Sequence, residues 1–225
     1  MSTPLTGPPP PTRLAPTTQL LETGVMAILR APTAHYVERA AEVLIDAGIT
    51  CIELTLTVPG ALDAVARLAQ NLPSGVALGV GTVTSAQQAA DALNSGAGFL
   101  VSPAICPDVQ SVAAARGVPH YPGAWTPSEV LTAWQGGAAA VKLFPAASGG
   151  PGHLRRLRDP LPDVPLVPTG GVALDDVSEY LQAGAVAVGV GTPLLGDALV
   201  GGDLAALAER ARRLLDAVES GRRDR

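Results

Sequence analysis

The stretch VMAILRAPTAHYVERAAEVLIDAGITCIELTL, residues 25–56, reads as one structural phrase: an apolar run, a turn, an alanine-rich amphipathic segment, a glycine and a second apolar run. Val25–Leu29 and Cys51–Leu56 have the bulky, β-favouring content of buried strands, and the segment between them spaces its apolar residues as a helix does. Gly48 stands where that helix must stop, because glycine accepts the left-handed backbone that closes a helix.

The phrase recurs along the chain. Further apolar runs stand at Val76–Val80, Phe99–Val101, His120–Tyr121, Ala139–Phe144, Leu166–Pro168 and Ala187–Val190, at intervals of about 20 to 26 residues. Gly96, Gly117, Gly137 and Gly184 close the intervening helices. Eight strand–helix units predict an α/β fold, a single TIM (β/α)8 barrel. An open doubly wound sheet competes, but its Gly-x-Gly-x-x-Gly after the first strand is replaced here by Leu-Arg-Ala-Pro (29–32).

Composition agrees with one domain: 225 residues, 47% hydrophobic and 16% charged, with a net charge of -5. A mildly acidic chain whose only arginine cluster is Arg222, Arg223 and Arg225 at its end predicts neither nucleic acid nor an anionic membrane as partner. Cys51 and Cys106 lack Cys-x-x-Cys spacing, which predicts reduced thiols and a cytoplasmic protein. Met1–Leu20 is rich in proline and threonine without an apolar signal core, so a disordered segment is expected over 1–20, the barrel over 21–219 and a frayed tail over 220–225. The uncharged run 183–196 is short and broken by four glycines and a proline, so it is not expected to span a bilayer.

In such a barrel the functional groups gather at the carboxyl ends of the strands. Arg30 ends the first strand, Glu53 and Thr55 lie on the second, Thr82 follows the third, Ser102 and Pro103 end the fourth, and Lys142 lies on the sixth. Lys142 within Ala-Ala-Ala-Val-Lys-Leu-Phe-Pro (138–145) and Glu53 within Cys-Ile-Glu-Leu-Thr-Leu (51–56) are each charges in apolar company. Either the lysine snorkels to water and the glutamate is a structural acid satisfied by Thr82, or the two form a desolvated amine–carboxyl pair, the minimum for imine chemistry on a ketone. Two glycine turns, Pro-Thr-Gly-Gly (168–171) and Gly-Val-Gly-Thr-Pro (189–193), follow the last two strands, where such barrels bind phosphate. His35, His120 and His153 show no paired ligand spacing, so neither metal nor cofactor is expected.

These motifs resemble the class I 2-keto-3-deoxy-6-phosphogluconate (KDPG) aldolases and their 4-hydroxy-2-oxoglutarate (KHG) and 6-phosphogalactonate relatives. The similarity runs from about residue 22 to 218 through Ala-Ile-Leu-Arg (27–30), Ile-Glu-Leu-Thr (52–55), Gly-Val-Gly-Thr-Val (79–83), Val-Ser-Pro (101–103), Pro-Gly-Ala-Trp-Thr-Pro (122–127), Lys-Leu-Phe-Pro-Ala (142–146), Pro-Thr-Gly-Gly-Val (168–172) and Val-Gly-Val-Gly-Thr (188–192). The resemblance implies Lys142 as Schiff-base lysine, Glu53 as general acid/base, and Thr82, Pro103 and Phe144 as pocket walls. It implies Thr169, Gly170, Gly171, Gly191 and Thr192 as the phosphate cradle, and a homotrimer. The implied reaction is cleavage of KDPG to pyruvate and glyceraldehyde 3-phosphate, as in the Entner–Doudoroff pathway, with KHG cleavage to pyruvate and glyoxylate beside it. The phosphogalactonate epimer is the alternative, and recognition of the differing hydroxyl would fall to Thr55, Thr82, Ser102 or a bridging water.

Thr57 stands where some members carry an arginine, and Thr192 where serine is common. Members with the Thr-Val-Pro version carry the arginine at the end of the first strand, so Arg30 is assigned to the substrate carboxylate; alternatively it pairs with Glu53 and fixes its ionisation. A sugar-phosphate epimerase or decarboxylase, and a non-catalytic sugar-phosphate sensor, are the competing functions on the same fold.

Overall fold

The computed structural model describes residues 13–223. In chain order these form α1 (Thr18–Thr23), β1 (Val25–Leu29), α2 (Val37–Asp46), β2 (Cys51–Thr55), α3 (Ala61–Asn71), β3 (Ala77–Gly81), α4 (Ala86–Asn94), β4 (Phe99–Val101), α5 (Pro107–Arg116) and β5 (His120–Tyr121). There follow β6 (Gly123–Ala124), α6 (Pro127–Gln135), β7 (Val141–Leu143), α7 (Gly150–Arg158), β8 (Leu166–Pro168), α8 (Val177–Gln182), β9 (Val188–Val190), α9 (Thr192–Leu195) and α10 (Leu204–Arg223).

The strands pair in parallel in the order β5-β4-β3-β2-β1-β9, with β6-β7-β8 as a second group. The groups join into one barrel at two places. Pro122 separates β5 from β6, since proline has no N–H for a ladder, yet its carbonyl still accepts from Lys142 N at 2.9 Å while His120 O accepts from Ala139 N at 3.0 Å. On the other side Thr169 bridges Gly189, and Val186 N donates to Leu166 O at 3.1 Å. The eight expected staves are present, one of them split in two by Pro122.

Alternation along the strands builds two apolar layers. Met26 and Ile28 join Cys51, Phe99, Val101, Tyr121, Ala140, Val167 and Ala187 in the barrel interior, whereas Val25, Ala27 and Leu29 pack outward against the helices. The same parity carries Glu53 and Lys142 inward, one step further along their strands than Cys51 and Ala140. Gly48, Gly96, Gly117, Gly137 and Gly184 all take the positive φ expected of them. Among the described residues no helix is long and apolar enough to cross a membrane.

Both expected boundaries move. Residues 1–12 of the proline-rich segment lie outside the described residues, but 13–20 are ordered: Leu20 is fully buried in the interior cluster, Thr17 N donates to the Tyr121 hydroxyl at 2.9 Å, and Arg13 stacks 3.3 Å over Trp134. One inserted leucine and an aromatic anchor outweigh the proline content. At the other end α10 runs helically to Arg223, so residues 220–223 are not frayed; Arg222 donates to Leu21 O and Glu22 O and ties the helix to α1. Residues 224 and 225 lie outside the described residues.

Candidate active site

At the carboxyl end of the barrel a cleft of about 450 Å³ is lined by Ile28, Arg30, Lys142, Phe144, the turn Thr169–Val172, and Gly191, Thr192 and Pro193. Lys142 lies at its floor, only 7% exposed, with Nζ 5.2 Å from the Phe144 ring centroid. Its neighbours in register are Gly123 and Val167, so the lysine is flanked by small or apolar residues.

Glu53 is buried to 1% exposure, and both carboxyl oxygens are without a hydrogen-bond partner. A buried polar atom left unpaired costs about 1–3 kcal/mol. Desolvation pushes the Glu53 carboxyl above its ordinary range, against the opposing pull of the Lys142 and Arg30 charges. Gly81 makes this burial possible: a Cβ there would fall on the Glu53 carboxylate. The alternative in which Thr82 satisfies a structural Glu53 is not seen: Arg30 Nη2 donates to Thr82 Oγ1 at 3.5 Å, and Thr82 makes no hydrogen bond to Glu53.

Thr82 is, among the described residues, the one non-glycine with positive φ, at 63°. A β-branched residue there is strained by about 1–3 kcal/mol, and the turn holds it where β3 ends, beside the arginine. Ser102 Oγ donates to the next carbonyl, Val83 O, at 2.7 Å and lies 2.8 Å from His120 Nε2; His120 Nδ1 in turn lies 2.8 Å from Gln110 Oε1. Burial lowers the His120 pKa to about 4, and the Gln110 amide nitrogen donates to Gly137 O. This chain lies on the outer, helix-facing side of β4 and β5, so Ser102 supports the Thr82 turn from behind and does not reach the cleft.

The sequence-derived residues therefore fall into two groups. Arg30, Lys142, Phe144, Thr169, Gly170, Gly171, Gly191 and Thr192 line one cleft, whereas Glu53, Thr55, Thr82 and Pro103 do not form its walls. Thr55 is fully buried, its hydroxyl 3.4 Å from Leu29 O and 2.8 Å from Thr57 Oγ1. Thr57, which replaces the expected arginine, thus holds Thr55 inside the protein. Ile28, Val172 and Pro193 complete the cleft; apolar wall residues give a sequence nothing to distinguish them from core.

Gly170 and Gly171 take φ of 88° and 76°, and a Cβ on Gly170 would come within 2.7 Å of the Phe144 ring. Only glycine fits two successive left-handed positions so close to an aromatic wall, and the turn so formed bares its backbone to the cleft. Facing it, Gly191 leads into α9 at Thr192. Neutral backbone donors at one end, an amine at the other and an arginine beside it suit a short ligand with an anionic tail and a carbonyl head. Among the described residues no group of three His, Cys, Asp or Glu side chains is placed to hold a metal ion.

The family model described as KDPG and KHG aldolase matches residues 17–209. A probable 2-dehydro-3-deoxy-6-phosphogalactonate aldolase of Rhizobium meliloti is 32% identical over 89% of this chain and 95% of its own length. The 2-dehydro-3-deoxy-phosphogluconate aldolase of Pseudomonas aeruginosa is 36% identical over 81% and 84%. The crystal structure of a KDPG aldolase from Legionella pneumophila, with pyruvate captured as a covalent carbinolamine, superposes with a TM-score of 0.78 at 27% identity, covering 86% of this chain and 95% of that one. With the barrel, the buried Lys142 and Glu53 and the two glycine turns already in hand, the match over most of the chain makes this protein a member of the KDPG and KHG aldolase family, a lyase.

Proposed function

We propose that this aldolase cleaves KDPG to pyruvate and glyceraldehyde 3-phosphate through an imine on Lys142. The reading is supported by a buried lysine that lines a cleft opening onto two glycine turns, and by a buried carboxyl, Glu53, that feels the charge of that lysine and whose oxygens have no hydrogen-bond partner. Lys142 adds to the 2-keto carbon to give a carbinolamine. Glu53 protonates the hydroxyl that leaves as water, and the iminium remains. Burial raises the Glu53 pKa, which favours its acid form and so suits it to donate that proton.

The iminium then draws in the electron pair of the C3–C4 bond. As that bond breaks, the 4-hydroxyl gives its proton to Glu53, directly or through a water, and the aldehyde product departs. Glu53 returns the proton to C3 of the enamine, and water hydrolyses the pyruvate imine to free the lysine. Arg30 holds the substrate carboxylate; Thr82, strained in its turn, supports Arg30, and Phe144 bounds the head of the substrate. Thr169, Gly170, Gly171, Gly191 and Thr192 hold the phosphate through backbone N–H groups and hydroxyls.

The phosphogalactonate epimer is the second reading, supported by the Rhizobium meliloti relative. KHG, split to pyruvate and glyoxylate, fits the same head with its distal carboxylate in the phosphate cradle. We also infer a cytoplasmic homotrimer that needs no cofactor. Borohydride reduction in the presence of pyruvate should add one pyruvate-derived mass to Lys142, read by intact mass and peptide mapping; an unmodified Lys142 would reject the mechanism and favour a sensor. Specificity constants for the two phosphorylated epimers and KHG then decide the substrate.

A further inference from the structure

We propose that Arg210 is a positioning residue for the phosphate end of the cleft, holding α9 in place by its last two carbonyls. This rests on the reading of Gly191 and Thr192 as phosphate contacts.

The starting point is the length of α9. It has four residues, Thr192 to Leu195, and its first residue lines the cleft. A single turn does not stand by itself, because helix nucleation is unfavourable by roughly a factor of a thousand, and its terminal carbonyls are orphans unless something outside the helix takes them. Arg210, on α10, takes them: Nε donates to Leu194 O at 2.6 Å and Nη2 to Leu195 O at 2.9 Å. The guanidinium is seated close against the chain, since a Cβ on Gly196 would fall 2.7 Å from Nη2. Leu194 and Leu195 are buried, and the amino side of the turn continues from β9. The turn is therefore fixed on one side by the barrel and on the other by a charge-assisted fork, the geometry arginine provides and lysine does not. A cation also suits the carboxyl end of a helix.

The other end of α10 uses the same device. Arg222 donates to Leu21 O and Glu22 O at the end of α1, and a Cβ on Gly24 would fall 2.8 Å from its Nη2. Two arginines on one helix cap two short helices in the same way, but only the first of those helices bears on the cleft. Arg222 is thus an internal control for the merely structural effect of losing such a cap.

The test compares Arg210→Met, Arg210→Lys and Arg222→Met with the wild type, measuring KM and kcat for KDPG, the yield of borohydride-trapped pyruvate on Lys142, and the thermal midpoint. For Arg210→Met the expected result is a KM raised about tenfold, the equivalent of about 1.4 kcal/mol of lost phosphate binding. Pyruvate trapping, which does not engage the cradle, should be unchanged. Arg210→Lys, able to make one bond of the fork, should fall between, and serves if the methionine variant does not fold. Arg222→Met should lower the midpoint and leave KM within twofold. A wild-type KM in the Arg210 variants, or an equal rise in Arg222→Met, overturns the proposal. Failure of the underlying aldolase reading shows separately, as a wild type that does not trap pyruvate.

Discussion

At the amino end of the barrel α1 brings Leu20 into a cluster with Met26, Cys51, Phe99 and Tyr121, and the Tyr121 hydroxyl is answered by Thr17. Phe99 and Tyr121 meet edge to face at 5.5 Å, and burial lifts the Cys51 thiol to about 12, so that end is closed and chemically quiet. At the carboxyl end the same strands present Glu53, Lys142 and Arg30, with two carboxyl oxygens unpaired and a threonine at positive φ. The same staves are thus satisfied at one end and frustrated at the other. Packing is concentrated where α1 plugs the barrel, and the unpaired carboxyl oxygens and the strained threonine stand at the opposite end.

Four changes break or sharpen that contrast. Lys142→Ala should abolish aldol cleavage while leaving the barrel folded, measured by coupled pyruvate release and by circular dichroism; measurable turnover would separate the amine from the chemistry. Glu53→Gln should lower kcat by about 10²- to 10⁴-fold, the usual worth of a positioned acid/base, and leave a slow imine detectable by borohydride trapping. Because the amide cannot pass a proton, the effect should fall on kcat more than on KM.

At the closed end Leu20→Ala should destabilise by about 2–5 kcal/mol, the range for deleting a fully buried leucine, as read from urea midpoints, with kcat near wild type. A loss of activity in conditions where this variant is folded would show that the two ends are coupled. The smallest effect concerns pH. The folded His120 pKa of about 4 lies below its ordinary 6.5, so between those values the unfolded chain carries the extra proton. The stability this confers is full above pH 6.5 and is lost as pH falls towards 4, up to about 3 kcal/mol. The urea midpoint of the wild type should therefore fall more steeply over that window than that of His120→Gln; parallel profiles would refute the burial of a neutral ring.

Much of this was legible in the residues. Strand bounds at Val25–Leu29, Phe99–Val101, His120–Tyr121 and Leu166–Pro168 coincide with the apolar runs, because a strand buried on both faces must be apolar throughout. Lys142 and Glu53 stood out because a charge in such a run violates the rule that makes the run readable. Hydroxyl residues were harder. Thr55, Thr82 and Ser102 look alike in sequence, yet one is spent on Leu29 O and Thr57, one bends a strained turn towards Arg30, and one supports that turn from the helix layer. The N-terminal boundary was misplaced for a related reason: proline content describes a segment's own tendency, whereas Leu20 is ordered by the cavity it fills.

By itself, then, the sequence determined the barrel, the direction of its strands and the two charged residues set in apolar runs, since periodicity, glycine stops and charges out of place are local properties of a chain. The tertiary structure alone decided that the Glu53 oxygens are left without partners, that Thr82 is strained beside Arg30, and that a four-residue helix is held from outside by Arg210. Each of these depends on which distant atoms fill the last few ångströms around a group, and that is settled only when all eight staves and their helices close on one another.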